Sequence, residues 1–164
     1  MTIDTKTWCE RFLVPSLIRL GPVAGVYYSS DAARFLTAIA LQESGLKTRH
    51  QYGGPAHGFF QFEKFGGCKQ ILINTRTKPK IEAVFEHQIE STNLSNAFEC
   101  IQHNNLIMVA FARLLVWQDP AALPIDSNTA WNYYLRNWRP GKPHPKAWAD
   151  NWKKACDVYP IGVE

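Results

Sequence analysis

The sequence predicts a mainly α domain (α+β), with a central buried helix and a short irregular or β-hairpin segment. Three observations carry this. Apolar residues recur at helical three- and four-residue intervals over most of the 164-residue chain. The stretch Ala32 to Leu41 is apolar nearly all round, as a helix in the middle of a core must be. Residues 46–62 break the pattern, with Gly53, Gly54, Pro55 and Gly58 followed by alternating Phe60 and Phe62. No internal repeat and no long linker is present, so residues 1–164 are expected to form one domain.

The elements follow in order. Trp8, Phe12, Leu13, Leu17 and Leu20 have helix-like spacing over 5–20; Pro15 breaks or kinks that segment unless it lies in a first turn, and Gly21-Pro22 ends it. Ser30 is the expected cap of the next helix, with Asp31 in its first turn favouring the helix dipole. That helix ends near Glu43, where Gly45 suits the position after a C-cap. After the irregular 46–62 stretch, helices are expected at roughly 65–75 and from Lys80 to Ser91. A strong apolar periodicity over 93–118 reads as one helix stopped by Asp119-Pro120. The last helices are expected at 127–137 and 145–157. The segment from Arg139 to Pro145, with three prolines, joins them as a stiff extended loop.

Composition excludes more than it assigns. Hydrophobic residues at 46% and charged residues at 20% are ordinary for a globular domain. A net charge of +4 favours polyanions in general. The basic residues are dispersed rather than clustered, so a nucleic-acid partner is not expected. The longest apolar run, Leu106 to Trp117, is interrupted by Arg113 and is too short to span a membrane. The N-terminus lacks the layout of a signal peptide, so synthesis in the cytoplasm is expected. Cys9, Cys68, Cys100 and Cys156 are far apart and include no CxxC pair, which points to free, mostly buried thiols. His50, His57, His87, His103 and His144 show no metal-ligand spacing, and no cofactor or metal is expected. The histidines are expected at the surface or as satisfied core residues, with His57 a candidate for a cleft rim, and Tyr27, Tyr28 and Tyr52 are candidates for sugar contacts or for core or rim packing. Glu82, Glu86 and Glu90 read as the solvated face of a helix.

One carboxylate stands out. Glu43 lies where an apolar helix runs out, and poor solvation there would raise its pKa. A carboxylic acid still protonated near neutral pH can donate a proton to a leaving group. Fifteen residues on, Gly58-Phe59-Phe60-Gln61-Phe62-Glu63 could form the wall and hydrogen-bonding floor of a cleft. An arbitrary helix-terminal Glu points into water, but this one follows a helix with almost no polar face.

Ala40-Leu41-Gln42-Glu43-Ser44 followed by Gly58-Phe59-Phe60-Gln61 resembles the Glu-Ser … Gly-Leu-Met-Gln signature of soluble lytic transglycosylases and goose-type lysozymes. Asn105 to Leu115 is similar to that family's Asn-anchored helix. Ala130-Trp131-Asn132 partly matches its Ala-Tyr-Asn element. The resemblance spans about 30–140 and implies a lysozyme-like fold. It implies Glu43 as general acid/base and Ser44, Gly58, Phe59, Phe60, Gln61, Trp131 and Asn132 as substrate-binding residues. Trp131 replaces the Tyr whose hydroxyl bonds near the catalytic Glu, and Tyr133 or Tyr134 could supply it from the next turn. Glu63 matches the place of a carboxylate that positions water in goose-type lysozymes; the plain alternative is a surface Glu.

These expectations define an enzyme that cleaves the β-1,4 bond between N-acetylmuramic acid and N-acetylglucosamine in peptidoglycan. The transglycosylase outcome, which closes a 1,6-anhydro ring, is favoured over hydrolysis. Partners are the glycan strands and, in a bacteriophage setting suggested by the C-terminal segment, tail or baseplate proteins. An endolysin role is the other phage setting. The reading from another class is a non-catalytic structural or glycan-binding virion protein that keeps the fold, for which the Trp131 departure is the best support.

Overall fold

A computed structural model describes residues 3–163; Met1, Thr2 and Glu164 lie outside it. Helices dominate. They are α1 (Thr5–Trp8), α2 (Val14–Ala24), α3 (Ser30–Ser44), α4 (Lys69–Ile73), α5 (Lys78–Gln88), α6 (Leu94–His103), α7 (Asn105–Trp117), α8 (Ser127–Trp138) and α9 (Pro145–Val158).

The expected 5–20 helix is longer than its prolines suggested. A π-turn at Cys9–Leu13 joins α1 to α2 and sets Pro15 in the first turn of α2. The wider turn relieves the clash a proline ring makes with the preceding turn. Ser16 Oγ donates to the Phe12 carbonyl at 2.7 Å. Gly21-Pro22 does not stop the helix. Pro22 is exposed, so the bond it forfeits lies on the solvent side, and α2 continues to Gly25.

Ser29, not Ser30, caps α3 by accepting from Ala32 N at 3.1 Å. Asp31 does more than favour the dipole. Its Oδ1 accepts from Arg34 Nη1 at 2.7 Å, while Arg34 Nε and Nη2 donate to the Tyr159 and Pro160 carbonyls at 2.6 and 3.1 Å. The wholly buried Arg34 thus clasps the C-terminal segment onto α3.

The 93–118 stretch is two helices rather than one. Asn104 leaves helical geometry, and its side chain caps α7 by accepting from Ile107 N at 3.0 Å. From Leu106 to Val116 every residue of α7 is buried, Arg113 included. Nine consecutive residues of α3, Ala32 to Ala40, are buried too. The centre is therefore shared: α3 packs chiefly on α9, and α7 on α2, α5 and α6. The expected 80–91 helix starts earlier, with Pro79 in its first turn, and ends at the left-handed Ile89. Glu82, Glu86 and Glu90 are exposed, and all four cysteines are free, three of them buried.

Residues 46–62 are irregular, closed by isolated antiparallel bridges between His50 and His57 and between His57 and Phe62. No described helix is long and apolar enough to cross a membrane.

Candidate active site

The C-terminal turn of α3 leaves the core. Gln42, Glu43 and Ser44 are half-buried there, and Gly45 closes the helix at φ 60°, a left-handed value that suits glycine. Ser44 does not face the cleft. Its Oγ donates to the Ala40 carbonyl at 3.0 Å and accepts from Leu46 N at 3.2 Å, so it seals the helix end that carries Glu43.

The Gly58–Gln61 turn supplies a second wall. Gly58 has φ 76°, and a Cβ there would lie 3.0 Å from Ile101 Cγ2 and 3.1 Å from the Ile101 carbonyl oxygen. Both the backbone angle and the space demand glycine. Gln61 is also left-handed, at φ 52°. It is held so by two bonds to the Gly58 carbonyl, from its backbone N at 3.1 Å and its Nε2 at 2.9 Å. A non-glycine residue in this region is uncommon and needs such support. The turn sends Phe59 and Phe60 inward, contrary to their expected role as cleft wall. Both rings pack edge-on against Trp8, at centroid distances of 5.7 and 6.1 Å. Phe60 contributes through its carbonyl, which accepts from Trp138 Nε1 at 3.1 Å and ties the turn to α8.

The third wall is α8, capped by Asp126 through Thr129 N at 2.8 Å. Tyr134 projects from its middle, and its hydroxyl donates to Glu43 Oε1 at 2.6 Å. Trp148 of α9 stacks on the Tyr134 ring at 5.3 Å and 13°. Trp131 lies 5.4 Å away on the same ring and Trp138 6.4 Å. Trp131 therefore packs against Tyr134 rather than facing the cleft, and Asn132 points to solvent outside it. Of the two tyrosine hydroxyls in this turn of α8, that of Tyr134 meets Glu43, whereas Tyr133 donates to the Val116 carbonyl at 2.8 Å.

These elements enclose a cleft of about 800 Å³ that brings together Glu43, Gln61, Glu63 and Tyr134 above a floor of Phe62 and Leu115. One rim carries the exposed Phe65 and Ile73 with Lys69; the other is the loop with Arg139, Lys142 and His144. Burial pushes the Glu43 carboxyl from an ordinary 4.5 up to about 7. The Tyr134 hydrogen bond pulls it down in part, and the Glu63 charge pushes it up further. Burial and the neighbouring carboxyl push the Tyr134 phenol well up, so it remains a donor. Glu63 is exposed, and its side chain makes no hydrogen bond to the described residues. A half-buried acid that holds its proton near neutrality, beside an open cleft, can protonate a bound leaving group and then act as a base.

Other candidates lie elsewhere. His57 is buried and stacked on Phe98 at 3.7 Å instead of rimming the cleft. Tyr27, Tyr28 and Tyr52 are exposed and are not part of its lining. No group of His, Cys, Asp and Glu among the described residues could hold a metal.

Sequence reasoning missed the wall formed by 139–144. Gln42 Nε2 donates to the His144 carbonyl at 2.9 Å, and Gln42 Oε1 accepts from Asn151 Nδ2 at 2.9 Å. This relay fixes the loop against the helix that carries Glu43. The visible signal was the loop's proline content, which announces stiffness but not position. No family model, curated protein or solved structure matches this chain.

Proposed function

We propose that the protein is a peptidoglycan-cleaving glycosidase of the lysozyme-like type, with Glu43 as general acid/base. The observation that carries this reading is the Glu43 carboxyl itself. It is raised to about 7, hydrogen-bonded by Tyr134, and set in a cleft large enough for sugar rings. Glu43 protonates the oxygen between N-acetylmuramic acid and N-acetylglucosamine as the glycosidic bond breaks. The resulting carboxylate then takes the proton from the 6-hydroxyl of the muramic sugar, whose oxygen bonds to the anomeric carbon. A 1,6-anhydro ring forms and no water is consumed.

Inverting hydrolysis would need a second carboxylate poised to activate water. Glu63 shares the cleft but is exposed and held by no hydrogen bond among the described residues. That favours the anhydro outcome. Mass analysis of digested cell wall tests it: products lighter by one water support ring closure, whereas reducing ends alone overturn it in favour of hydrolysis. The non-catalytic reading loses its best support, because Tyr134 supplies the hydroxyl that Trp131 lacks. Peptidoglycan bound without clearing of turbidity would restore it. The phage setting rests on resemblance, and detection of the chain in purified particles tests it.

A further inference from the structure

The cleft continues past its catalytic carboxyl. Gln70, Asn137 and Arg139 line it and also open onto a second depression of about 400 Å³. Arg76, Arg136 and Arg139 bring three guanidinium groups there, against the single carboxylate of Asp119. Asp119 is already fully engaged. It accepts from Arg136 Nε at 2.6 Å, Asn137 Nδ2 at 2.7 Å and Ala121 N at 3.0 Å. Among the described residues, neither Arg76 nor Arg139 pairs with a carboxylate.

The guanidinium groups are also set in place before any ligand arrives. Arg76 lies over the Trp117 ring at 4.8 Å and donates to the Gln118 carbonyl at 3.3 Å. Arg136 lies over Tyr133 at 4.3 Å, and Arg139 Nε donates to the Arg136 carbonyl at 3.4 Å. Stacked and tethered arginines lose little freedom on binding, and their fork matches a carboxylate.

We propose that this depression is a subsite for a carboxylate of the stem peptide carried by the muramic sugar. The inference rests on the glycosidase reading, because that reading seats the muramic sugar in the adjoining cleft. Stem peptides leave the glycan next to the scissile bond and carry free carboxylates.

The test compares kcat/KM of the full chain on peptidoglycan and on the same glycan stripped of its peptides by an amidase. Arg76→Gln is the informative variant, since Arg76 is exposed and lies outside the catalytic cleft. The preference for peptide-bearing substrate should fall about tenfold, mainly through KM, and Arg76→Lys should recover part of it. An unchanged preference overturns the subsite. If the unmodified protein cleaves neither substrate, the glycosidase reading fails, and titration with the soluble stem tetrapeptide then judges the subsite alone. Binding weakened about tenfold by Arg76→Gln, and lost when the peptide carboxylates are amidated, supports it. Equal binding by both proteins, or none, overturns it.

Discussion

Replacing Tyr134 with Phe removes the hydroxyl that donates to Glu43 Oε1 at 2.6 Å. That bond favours the carboxylate, so without it the Glu43 pKa climbs above about 7. In the proposed reaction Glu43 acts first as an acid, so activity should be lost as pH rises through its pKa. The alkaline limb of the pH–rate profile should therefore move to higher pH in Tyr134→Phe, while a shift to lower pH would contradict the assignment. The same raised pKa has a cost in stability. The folded state holds the Glu43 proton more tightly than the unfolded chain does. Stability from this group is thus fully present below about 4.5 and is lost as pH rises to about 7. Denaturant titrations of Glu43→Gln should lack this loss, gaining up to about 3 kcal/mol on the unmodified protein between pH 4 and pH 8. Glu43 was legible in the sequence because an apolar helix pointed at it. Phe59 and Phe60 were misleading for a definite reason. The left-handed angles at Gly58 and Gln61 turn both rings into the core, and an aromatic run does not declare its direction.

At the scale of elements, caps and clasps hold the walls in register. Asn104 ends α6, caps α7 and donates its Nδ2 to Gln88 Oε1 at 2.8 Å. Asn104→Ala should cost about 1 kcal/mol in thermal or chemical denaturation, and Asn104→Asp should retain most of the cap. The sequence showed the apolar periodicity on both sides of Asn104 but not the break, because a capping Asn has no consequence for a hydrophobic pattern. Arg34 is a stronger case. Removing it leaves the Tyr159 and Pro160 carbonyls without their donors, so Arg34→Ala should cost about 3 kcal/mol. Limited proteolysis should then reach the C-terminal segment first. This clasp joins residues more than a hundred positions apart, and local spacing carries no trace of it.

Across the whole molecule, separate stretches of chain converge on one cleft, chiefly the end of α3, the 58–63 turn, α8 and the 139–144 loop. Most of the aromatic residues near the cleft build its frame. Trp131, Trp138 and Trp148 surround Tyr134, and Trp148 Nε1 donates to the Ser127 carbonyl at 2.9 Å. Trp148→Ala should destabilise the fold by about 3–5 kcal/mol and lower kcat even where the protein remains folded, because Tyr134 loses its backing. The mainly helical class and the central α3 were legible from periodicity. The Arg139–His144 wall and its relay through Gln42 and Asn151 were not, since they depend on where α9 packs.

The central claim is that the Glu43 carboxyl supplies the proton. Release of soluble glycan fragments from purified peptidoglycan, by the unmodified protein and by Glu43→Gln at matched folded concentration, tests it most directly. The account predicts release by the unmodified protein, strongest below about pH 7, and none above background by the variant. Comparable release by Glu43→Gln would contradict it.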